Sequence, residues 1–253
     1  MTEKQNDRQK RILDTIAASE RIEVAKLAEM LGVSKVTLRK DLEVLKQKGI
    51  IRHEKGYVSP GSSDDINNRL SYHYETKRKI ARAAAELVKD GETVMIESGS
   101  CCAILAEELA SNKRDVRIIT NSAFIAAYIR RLQVKIVLLG GDYQSESQVM
   151  VGPITRICVE GFSVDKFFIG TDGFSAEHGF TGNDHLRSET VRDMTKQSAR
   201  VIILTESEKF SKRGLVPLLP FNRISLVITD EAIPAEREQF LEEQNILLLK
   251  VAL

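Results

Sequence analysis

The first 58 residues alternate apolar and polar positions in a way that predicts three short helices followed by a β-hairpin. Apolar residues recur three, four and seven positions apart, which places them on one face of a helix. The three sets are Ile12, Leu13 and Ile16, then Val24, Leu27, Ala28 and Leu31, then Leu38, Leu42 and Leu45. Residues 50–53 and 56–58 flank a tight turn and read as two short strands. The pattern therefore predicts a winged helix-turn-helix.

The junction between the second and third helices has the residues that this motif needs. Gly32 suits the left-handed backbone at a helix C-terminus, and Ser34 is a good N-cap for the next helix. That next helix would enter the major groove of DNA. We expect DNA contacts from its outward positions and from the wing, namely Ser34, Lys35, Val36, Thr37, Arg39, Lys40, Arg52 and Lys55. The alternative is an ordinary helical hairpin with a solvated charged face.

The charge distribution favours the DNA-binding interpretation. Residues 1–57 hold 13 Lys and Arg against 9 Asp and Glu, a net charge of +4, whereas the remainder has a net charge of −3. Phosphate contacts supply most non-specific affinity for DNA, so a single head of this charge should bind weakly. We therefore expect a homo-oligomer, a dimer or a tetramer, whose paired heads occupy double-stranded operator DNA.

From Val94 onward, short apolar runs alternate with amphipathic segments. The runs are 94–96, 116–119, 136–139, 167–169, 201–204, 226–228 and 246–249, and the helical segments lie near 102–111, 122–132, 184–199 and 234–244. This alternation indicates βαβ units and predicts an α/β domain with a doubly wound, mostly parallel sheet. Another helix is predicted over residues 72–89, with Ile80, Ala83, Ala84, Leu87 and Val88 on its buried face.

A segment rich in turn formers separates the two patterns. Residues 59–65 read Ser-Pro-Gly-Ser-Ser-Asp-Asp and contain no large apolar side chain. The predicted organisation is a winged helix-turn-helix domain over 1–58, a linker over 59–71 and an α/β sensing domain over 72–253.

Several classes of protein are disfavoured by composition. No apolar run reaches the ~18 residues of a membrane span, and the N-terminus lacks the apolar stretch of a signal peptide. Three cysteines, two of them adjacent, cannot form a disulfide framework. The four histidines lack the spacing of metal ligands, so we expect no metal and no cofactor. A cytoplasmic protein without membrane contact is predicted.

The loops at the strand ends suggest a site for a phosphorylated ligand. In doubly wound sheets, ligands bind beyond the carboxyl ends of the strands, where helix N-termini favour anions. The loops after the first three strands carry Ser98, Gly99 and Ser100, then Asn121 and Ser122, then Gly141. Farther along the chain, Asp172 could accept sugar hydroxyls and Lys209 could counter a phosphate charge. The alternative is that Asp172 caps a turn and Lys209 is solvated.

Cys101 follows the first of these loops at a predicted helix N-terminus. A thiol in that position tends to have a lowered pKa, so a redox-sensing role is one interpretation. The favoured interpretation is that this small side chain packs behind the loop, because free cysteines are usually buried.

The ordered set of motifs resembles the DeoR family of bacterial sugar-metabolism regulators over nearly the whole chain. The similar segments are Ser34–Leu42, residues 90–93, 97–100, 120–122, 139–141, Gly152, 170–173, 207–210 and 228–230. The resemblance implies a transcriptional regulator, usually a repressor, whose sensor domain binds a phosphorylated sugar or polyol and thereby changes DNA affinity. It also implies a sensor fold similar to ribose-5-phosphate isomerase, with effector contacts from the strand-end residues named above.

Three segments differ from the usual family residues. The wing reads His-Glu-Lys-Gly-Tyr over residues 53–57 where a His-Gly-Gly-Ala-like turn is usual. Glu97 stands where aspartate is common, and residues 206–210 read Glu-Ser-Glu-Lys-Phe where Asp-Ser-Ser-Lys-Phe is common. The second class of function is a sugar-phosphate isomerase-like enzyme with an appended helical domain, for which Glu97, Asp172 or Glu189 would be the general base. No paired acid/base motif stands out, so the regulator is the preferred prediction and no catalytic residue is assigned.

Overall fold

The computed structural model describes residues 8, 11–13, 15–16, 19, 21–47, 51–60 and 64–253. The chain divides into two compact units, residues 1–72 and 73–253. Parts of the predicted first helix and residues 61–63 of the predicted linker lie outside the described residues.

The N-terminal unit has the elements of a winged helix-turn-helix. The described residues of segment 8–16 are helical. They are followed by β1 (Ile22–Glu23), α1 (Val24–Leu31), α2 (Lys35–Gln47), β2 (Ile51–Glu54), β3 (Tyr57–Pro60) and α3 (Ile66–Ser71). The three strands form an antiparallel sheet in the order β1-β3-β2. The last helix of the unit falls within the segment that was predicted to be a linker.

Local capping and apolar burial explain why α1 and α2 form where they do. Gly32 ends α1 with a φ of 65°, and Ser34 Oγ accepts the Thr37 N–H at 3.1 Å in the first turn of α2. Both predicted caps are therefore present. Leu38, Leu42 and Leu45 are buried together with the apolar face of α1, so the predicted core of this unit is also confirmed.

The second unit is built on seven parallel strands. They are β4 (Thr93–Ile96), β5 (Arg117–Thr120), β6 (Lys135–Leu138), β9 (Val164–Ile169), β12 (Ser198–Leu204), β14 (Ile224–Asp230) and β15 (Leu247–Val251). All neighbouring pairs in this sheet are parallel. Each strand overlaps one of the seven predicted apolar runs. The prediction of a doubly wound parallel α/β domain is confirmed.

The remaining elements cover and connect this sheet. The helices are α4 (Tyr74–Glu86), α5 (Ser100–Asn112), α6 (Ala123–Tyr128), α7 (Pro153–Glu160), α8 (His185–Lys196) and α9 (Ala235–Glu243), with 3-10 helices at Ser207–Ser211 and Phe221–Arg223. Two small antiparallel sheets contain β7 (Asp142–Gln144) and β8 (Val149–Val151), and β10 (Gly173–Ser175), β11 (Gly179–Gly182) and β13 (Val216–Pro217). The sequence pattern did not predict α7 or these small sheets.

The buried face of α4 differs from the predicted one. Ile80, Ala84 and Val88 are buried as expected, but Ala83 and Leu87 are only partly buried. The helix also buries Lys77, Ala81 and Ala85, which were not predicted. The difference arises because α4 packs against both α5 and β14, so that its buried face is set by two neighbours. Among the helices of the described residues, none is long and apolar enough to cross a membrane.

The strand order creates a switch point in the large sheet. The order is β15-β14-β12-β9-β4-β5-β6. From β4 the chain proceeds to one edge through β5 and β6, and from β9 it proceeds to the other edge. In such sheets, the crevice outside the carboxyl ends of the strands at the switch point is where ligands bind. Here that crevice lies between the ends of β4 and β9.

Candidate functional site

The candidate DNA-binding surface is the outward side of α2. Lys35, Val36, Arg39 and Lys40 are exposed, with Val36 65% exposed, and Ser34 is exposed immediately before the helix. Thr37 is partly buried, and its hydroxyl lies 2.9 Å from that of Ser34. An exposed apolar side chain among cations suits a base-reading helix, since valine can contact a thymine methyl group.

A partly buried ion pair joins α2 to the preceding helical segment, with the Arg8 side chain 29% exposed. Asp41 is 1% exposed and accepts two hydrogen bonds from the Arg8 guanidinium, at 2.5 and 3.1 Å. The bidentate geometry fixes the rotation of α2 relative to the preceding helical segment. Sequence reasoning did not single out this pair, because it joins residues 33 positions apart.

The wing is a β-hairpin with a two-residue turn, and the tip of the hairpin is exposed. Lys55 and Gly56 adopt φ values of 47° and 82°, which is the left-handed pair that a tight hairpin of this kind requires. Arg52 and Lys55 are both exposed. The Arg21 guanidinium lies 4.1 Å from the centre of the Tyr57 ring on the wing, which adds a further cation to this surface. Arg21 was not predicted, since no periodic pattern includes it.

In the second unit, Glu97 joins the loops on the two sides of the switch point. Its carboxylate accepts the Ser98 hydroxyl at 2.6 Å, the Gly99 N–H at 2.7 Å and the Gly170 N–H at 3.3 Å. A Cβ added to Gly99 would lie 3.2 Å from the Gly170 Cα, so the two loops are in direct backbone contact. With three donors on one buried carboxylate, Glu97 organises the crevice, which disfavours the general-base role.

Ser100 begins α5 next to this loop. The first turn of α5 itself contains no acidic residue, and the positive end of its dipole lies beside the Glu97 carboxylate, which already accepts the Gly99 N–H. Ser98, Gly99 and Ser100 therefore surround one helix N-terminus, as the sequence predicted for an anion site.

The next strand contributes Asn121 and Ser122, which are both buried. Asn121 Nδ2 donates to the Met150 carbonyl at 3.0 Å, and its Oδ1 has no hydrogen-bond partner within the residues that the structure describes. Ser122 Oγ accepts the Ile125 N–H at 3.1 Å and caps α6. Ser122 thus has a structural function, whereas Asn121 retains an acceptor.

Gly141 permits a close approach between the third loop and α7. A Cβ at Gly141 would lie 2.0 Å from Thr155 Oγ1 and 2.7 Å from the Val151 carbonyl oxygen. Thr155 in turn donates to the Gly140 carbonyl at 2.8 Å. The loop is therefore fixed by packing against α7, and only glycine fits at this position.

Asp172 lies on the β9 side of the crevice. One carboxylate oxygen accepts the Asn183 N–H at 2.9 Å, and the Asp172 N–H donates to the Thr181 carbonyl at 2.9 Å. The carboxylate is thus tied to the hairpin that precedes α8. Glu189, the third residue considered as a general base, is exposed on α8.

Lys209 follows β12 in a 3-10 helix and is paired with a carboxylate. Its Nζ lies 3.8 Å from Glu208 Oε1, and its side chain is 25% exposed. Lys212 also contacts Glu208, at 3.0 Å. Burial opposes ionisation of Glu208, but the hydrogen bond from Lys212 and the two lysine charges bring the pKa of Glu208 below its ordinary value. The carboxylate therefore stays charged beside the lysine.

A buried ion pair lies at the end of β12 and was not predicted. Lys77 Nζ is 3.0 Å from Glu206 Oε1, and the two side chains are 3% and 6% exposed. The Cys101 thiol donates to Glu206 Oε2 at 3.7 Å. Burial, followed by the charge of Glu206, raises the pKa of Cys101 well above its ordinary value. These contacts favour the packing interpretation of Cys101 over a reactive thiol.

One group of side chains has metal-like spacing. The ligand atoms of His73, Glu206 and Glu208 lie within 4.8 Å of one another. The two carboxylates are already 3.0 Å from the ammonium groups of Lys77 and Lys212, respectively. Ammonium groups thus occupy the positions where a cation would be needed.

The predicted effector residues all follow strands that are neighbours in the sheet, β12-β9-β4-β5-β6. Because the strands are parallel, these loops share one edge of the sheet. A winged helix-turn-helix followed along the chain by a parallel α/β unit with such an edge defines a DNA-binding regulator with a separate sensing domain.

Comparison with known proteins identifies the family. A family model described as the DeoR-like helix-turn-helix domain matches residues 8–63, and one described as the DeoR C terminal sensor domain matches residues 72–231. The chain therefore belongs to the DeoR family of DNA-binding transcriptional regulators.

Individual relatives are similar over most of their length. The chain is 32% identical over 231 residues to the transcriptional repressor GlcR of Bacillus subtilis, covering 89% of this chain and 88% of that protein. It is 27% identical over 249 residues to the glycerol-3-phosphate regulon repressor of Escherichia coli, covering 97% and 98%. Ribose 5-phosphate isomerase A from Neisseria gonorrhoeae matches with a TM-score of 0.41 and 18% identity, covering 55% of this chain and 54% of that one.

Proposed function

We propose that the chain represses a sugar or polyol catabolic operon, and that a phosphorylated sugar or polyol controls its affinity for operator DNA. The observation that carries this proposal is the crevice between β4 and β9, where Glu97 joins the Ser98–Gly99 loop to the Gly170 loop. The name of one relative, a glycerol-3-phosphate regulon repressor, supports the class of ligand.

The chemistry of the crevice supports an assignment of its residues to the phosphate group and to the hydroxyl groups of this ligand. The N-terminus of α5 and the Lys209 ammonium favour a phosphate, since both supply positive charge. Asp172 and the free acceptor on Asn121 suit sugar hydroxyls, because hydroxyls donate hydrogen bonds. The effector contacts are thus assigned to Ser98, Gly99, Ser100, Asn121, Gly141, Asp172 and Lys209, with Ser122 in the supporting cap.

The N-terminal unit would bind DNA through α2 and the wing. Ser34, Lys35, Val36, Thr37, Arg39 and Lys40 would contact the major groove, and Arg52 and Lys55 would contact phosphates. The chain would act as a homo-oligomer, because two heads of modest charge bind an operator better than one. Its place of action would be the cytoplasm, where the operator is.

A thermal-shift experiment tests the sensor half of the proposal. Phosphorylated sugars and polyols are compared with their unphosphorylated counterparts, since a ligand that binds only the folded state raises its unfolding midpoint. We expect a shift only with a phosphorylated compound, and we expect Lys209→Met to abolish it. The matched control is Lys212→Met in the same 3-10 helix, which should retain the shift. An equal shift with unphosphorylated compounds, or steady turnover of the ligand, would contradict the proposal.

Operator binding tests the DNA half. Arg39→Ala should lose about 1–3 kcal/mol of operator affinity, measured by fluorescence anisotropy, without changing the thermal shift by the effector. Arg131→Ala removes the same charge from an exposed position in the second unit and should leave operator affinity unchanged. Equal operator affinity of Arg39→Ala and the wild type would show that α2 is not the recognition helix.

A further inference from the structure

The outer face of α7 is apolar where a solvent-exposed helix is normally polar. Ile154 and Ile157 are 56% and 64% exposed, and their spacing of three residues places them on neighbouring positions of the helix surface. The helix buries Thr155 and Val159 on its other side. Tyr143, on the hairpin that leads into α7, is also 53% exposed. Contiguous exposed apolar side chains, unlike single scattered ones, are a feature of interaction surfaces.

Two opposite charges lie to one side of Ile157 on the helix surface. Arg156 and Glu160 are both exposed and lie one helical turn apart. Within the part of the chain that the structure describes, neither forms an ion pair. An arginine that precedes a glutamate by four residues is the less favourable order for pairing within one helix. The helix therefore presents one positive and one negative group to a partner.

We propose that this face pairs with the same face of a second copy, with the two α7 helices antiparallel about a twofold axis. Four residues span about 6 Å of helix, so an axis near position 158 brings Arg156 of each copy opposite Glu160 of the other. The pair of Arg156 with Glu160 of the other copy therefore forms twice. The Ile157 side chains of the two copies meet near the centre. The surface is self-complementary, as an isologous interface must be.

The partner is a second copy because the charge pattern of the face matches its own twofold image. This inference rests on the part of the proposed function that makes the chain a homo-oligomer with paired DNA heads. The same helix also contacts the candidate ligand site, because Thr155 on its inner side donates to the Gly140 carbonyl. A ligand that moves the Gly140–Gly141 loop would thus act directly on the interface.

Charge reversal gives the sharpest test, with sedimentation velocity of the full chain as the measurement. Arg156→Glu and Glu160→Arg alone should each raise the dimer dissociation constant at least tenfold, because like charges then face each other twice. The double variant should recover most of the wild-type affinity. An equimolar mixture of the two single variants should form heterodimers in preference to homodimers, because both pairs are then attractive.

Substitutions of two exposed apolar residues distinguish this face from the exposed edge strand β15. Ile157→Asp should dissociate the dimer, whereas Leu247→Asp, at a 70% exposed leucine on the edge strand β15, should leave it intact. Circular dichroism of each variant reports whether it is folded, and the surface charge variants provide the answer should Ile157→Asp fail to fold.

The outcomes distinguish this inference from the proposed function. A dimeric wild type whose charge and Ile157 variants all remain dimeric overturns the α7 interface alone. Dissociation by Leu247→Asp with no effect of Ile157→Asp moves the interface to the sheet edge and also overturns it. A wild type that is monomeric at micromolar concentration refutes both this inference and the proposed homo-oligomer, while the assignments of effector and DNA contacts are tested separately.

Discussion

Replacing Lys77 by methionine removes the ammonium group that faces the buried carboxylate of Glu206. The two charged atoms are 3.0 Å apart and both side chains are almost fully buried. At an effective dielectric constant of about 20, their attraction is about 5–6 kcal/mol, which offsets the desolvation of both groups. In the variant, Glu206 retains its desolvation cost without its ammonium partner, and the Cys101 thiol at 3.7 Å is a weak donor to it.

We expect Lys77→Met to lower the free energy of unfolding by about 3–5 kcal/mol, the usual cost of leaving one buried charge unpaired. For a unit of this size, the loss corresponds to a fall in Tm of about 6–20 °C. Differential scanning calorimetry is the appropriate assay, because the chain has two compact units whose transitions must be separated. The transition of the N-terminal unit then serves as an internal reference.

Two further variants make the test specific. Lys250→Met removes the ammonium from a pair with Glu238 in which both side chains are 41% exposed, so it should cost about 0–1 kcal/mol. In the double variant Lys77→Met/Glu206→Gln, neither charge of this pair is left, so its cost should fall below the sum of the two single costs. A loss from Lys77→Met no larger than that from Lys250→Met, or strictly additive single costs, would refute the reasoning.

The remaining predictions concern the ligand loops and the buried thiol. Glu208→Ser removes a carboxylate next to the candidate phosphate-binding lysine, so it should tighten binding of a phosphorylated effector in calorimetric titration; weaker binding would count against that lysine. Gly141→Ala should destabilise the second unit by about 1–3 kcal/mol because of its steric clash, whereas Gly140→Ala, whose Cβ would be 3.8 Å from the nearest atom, should not. Thermal unfolding compares the two. The raised pKa of Cys101 keeps its thiol protonated above the ordinary value, so iodoacetamide should alkylate it more slowly than the partly exposed Cys158 up to about pH 9; rapid labelling at pH 7 would contradict this.

Periodicity predicted the large sheet well because its signal is local. A strand buried on both faces is a short apolar run whatever its neighbours are, and all seven runs became strands of one parallel sheet. The same method missed α7, whose inner face buries only Thr155 and Val159 while two isoleucines point outward. Its periodicity is the reverse of that of an ordinary surface helix, so a rule based on core burial cannot find it.

The candidate site was predicted residue by residue, but the function of several residues was not. Loops rich in glycine and serine are visible in the sequence at each strand end. Whether Ser122 binds a ligand or caps a helix depends on the Ile125 N–H, which becomes its partner only once α6 forms. Glu97 was considered as a base and instead joins two loops, because its hydrogen-bond donors include Gly170, 73 positions away.

By itself, the sequence determined the helix-turn-helix pattern, the parallel α/β pattern, the caps of α1 and α2, and the set of loops that surround the crevice. Each of these depends on neighbouring residues, whose spacing and backbone preferences can be read along the chain. The tertiary structure decided the strand order that places β9 beside β4, and with it the position of the crevice. It also decided which polar groups are buried together. Cys101 and Glu206 are 105 positions apart, and the packing of α4 and α5 on the sheet brings both of them to Lys77. Such contacts depend on the free energy of burial over the whole unit, which no local pattern records.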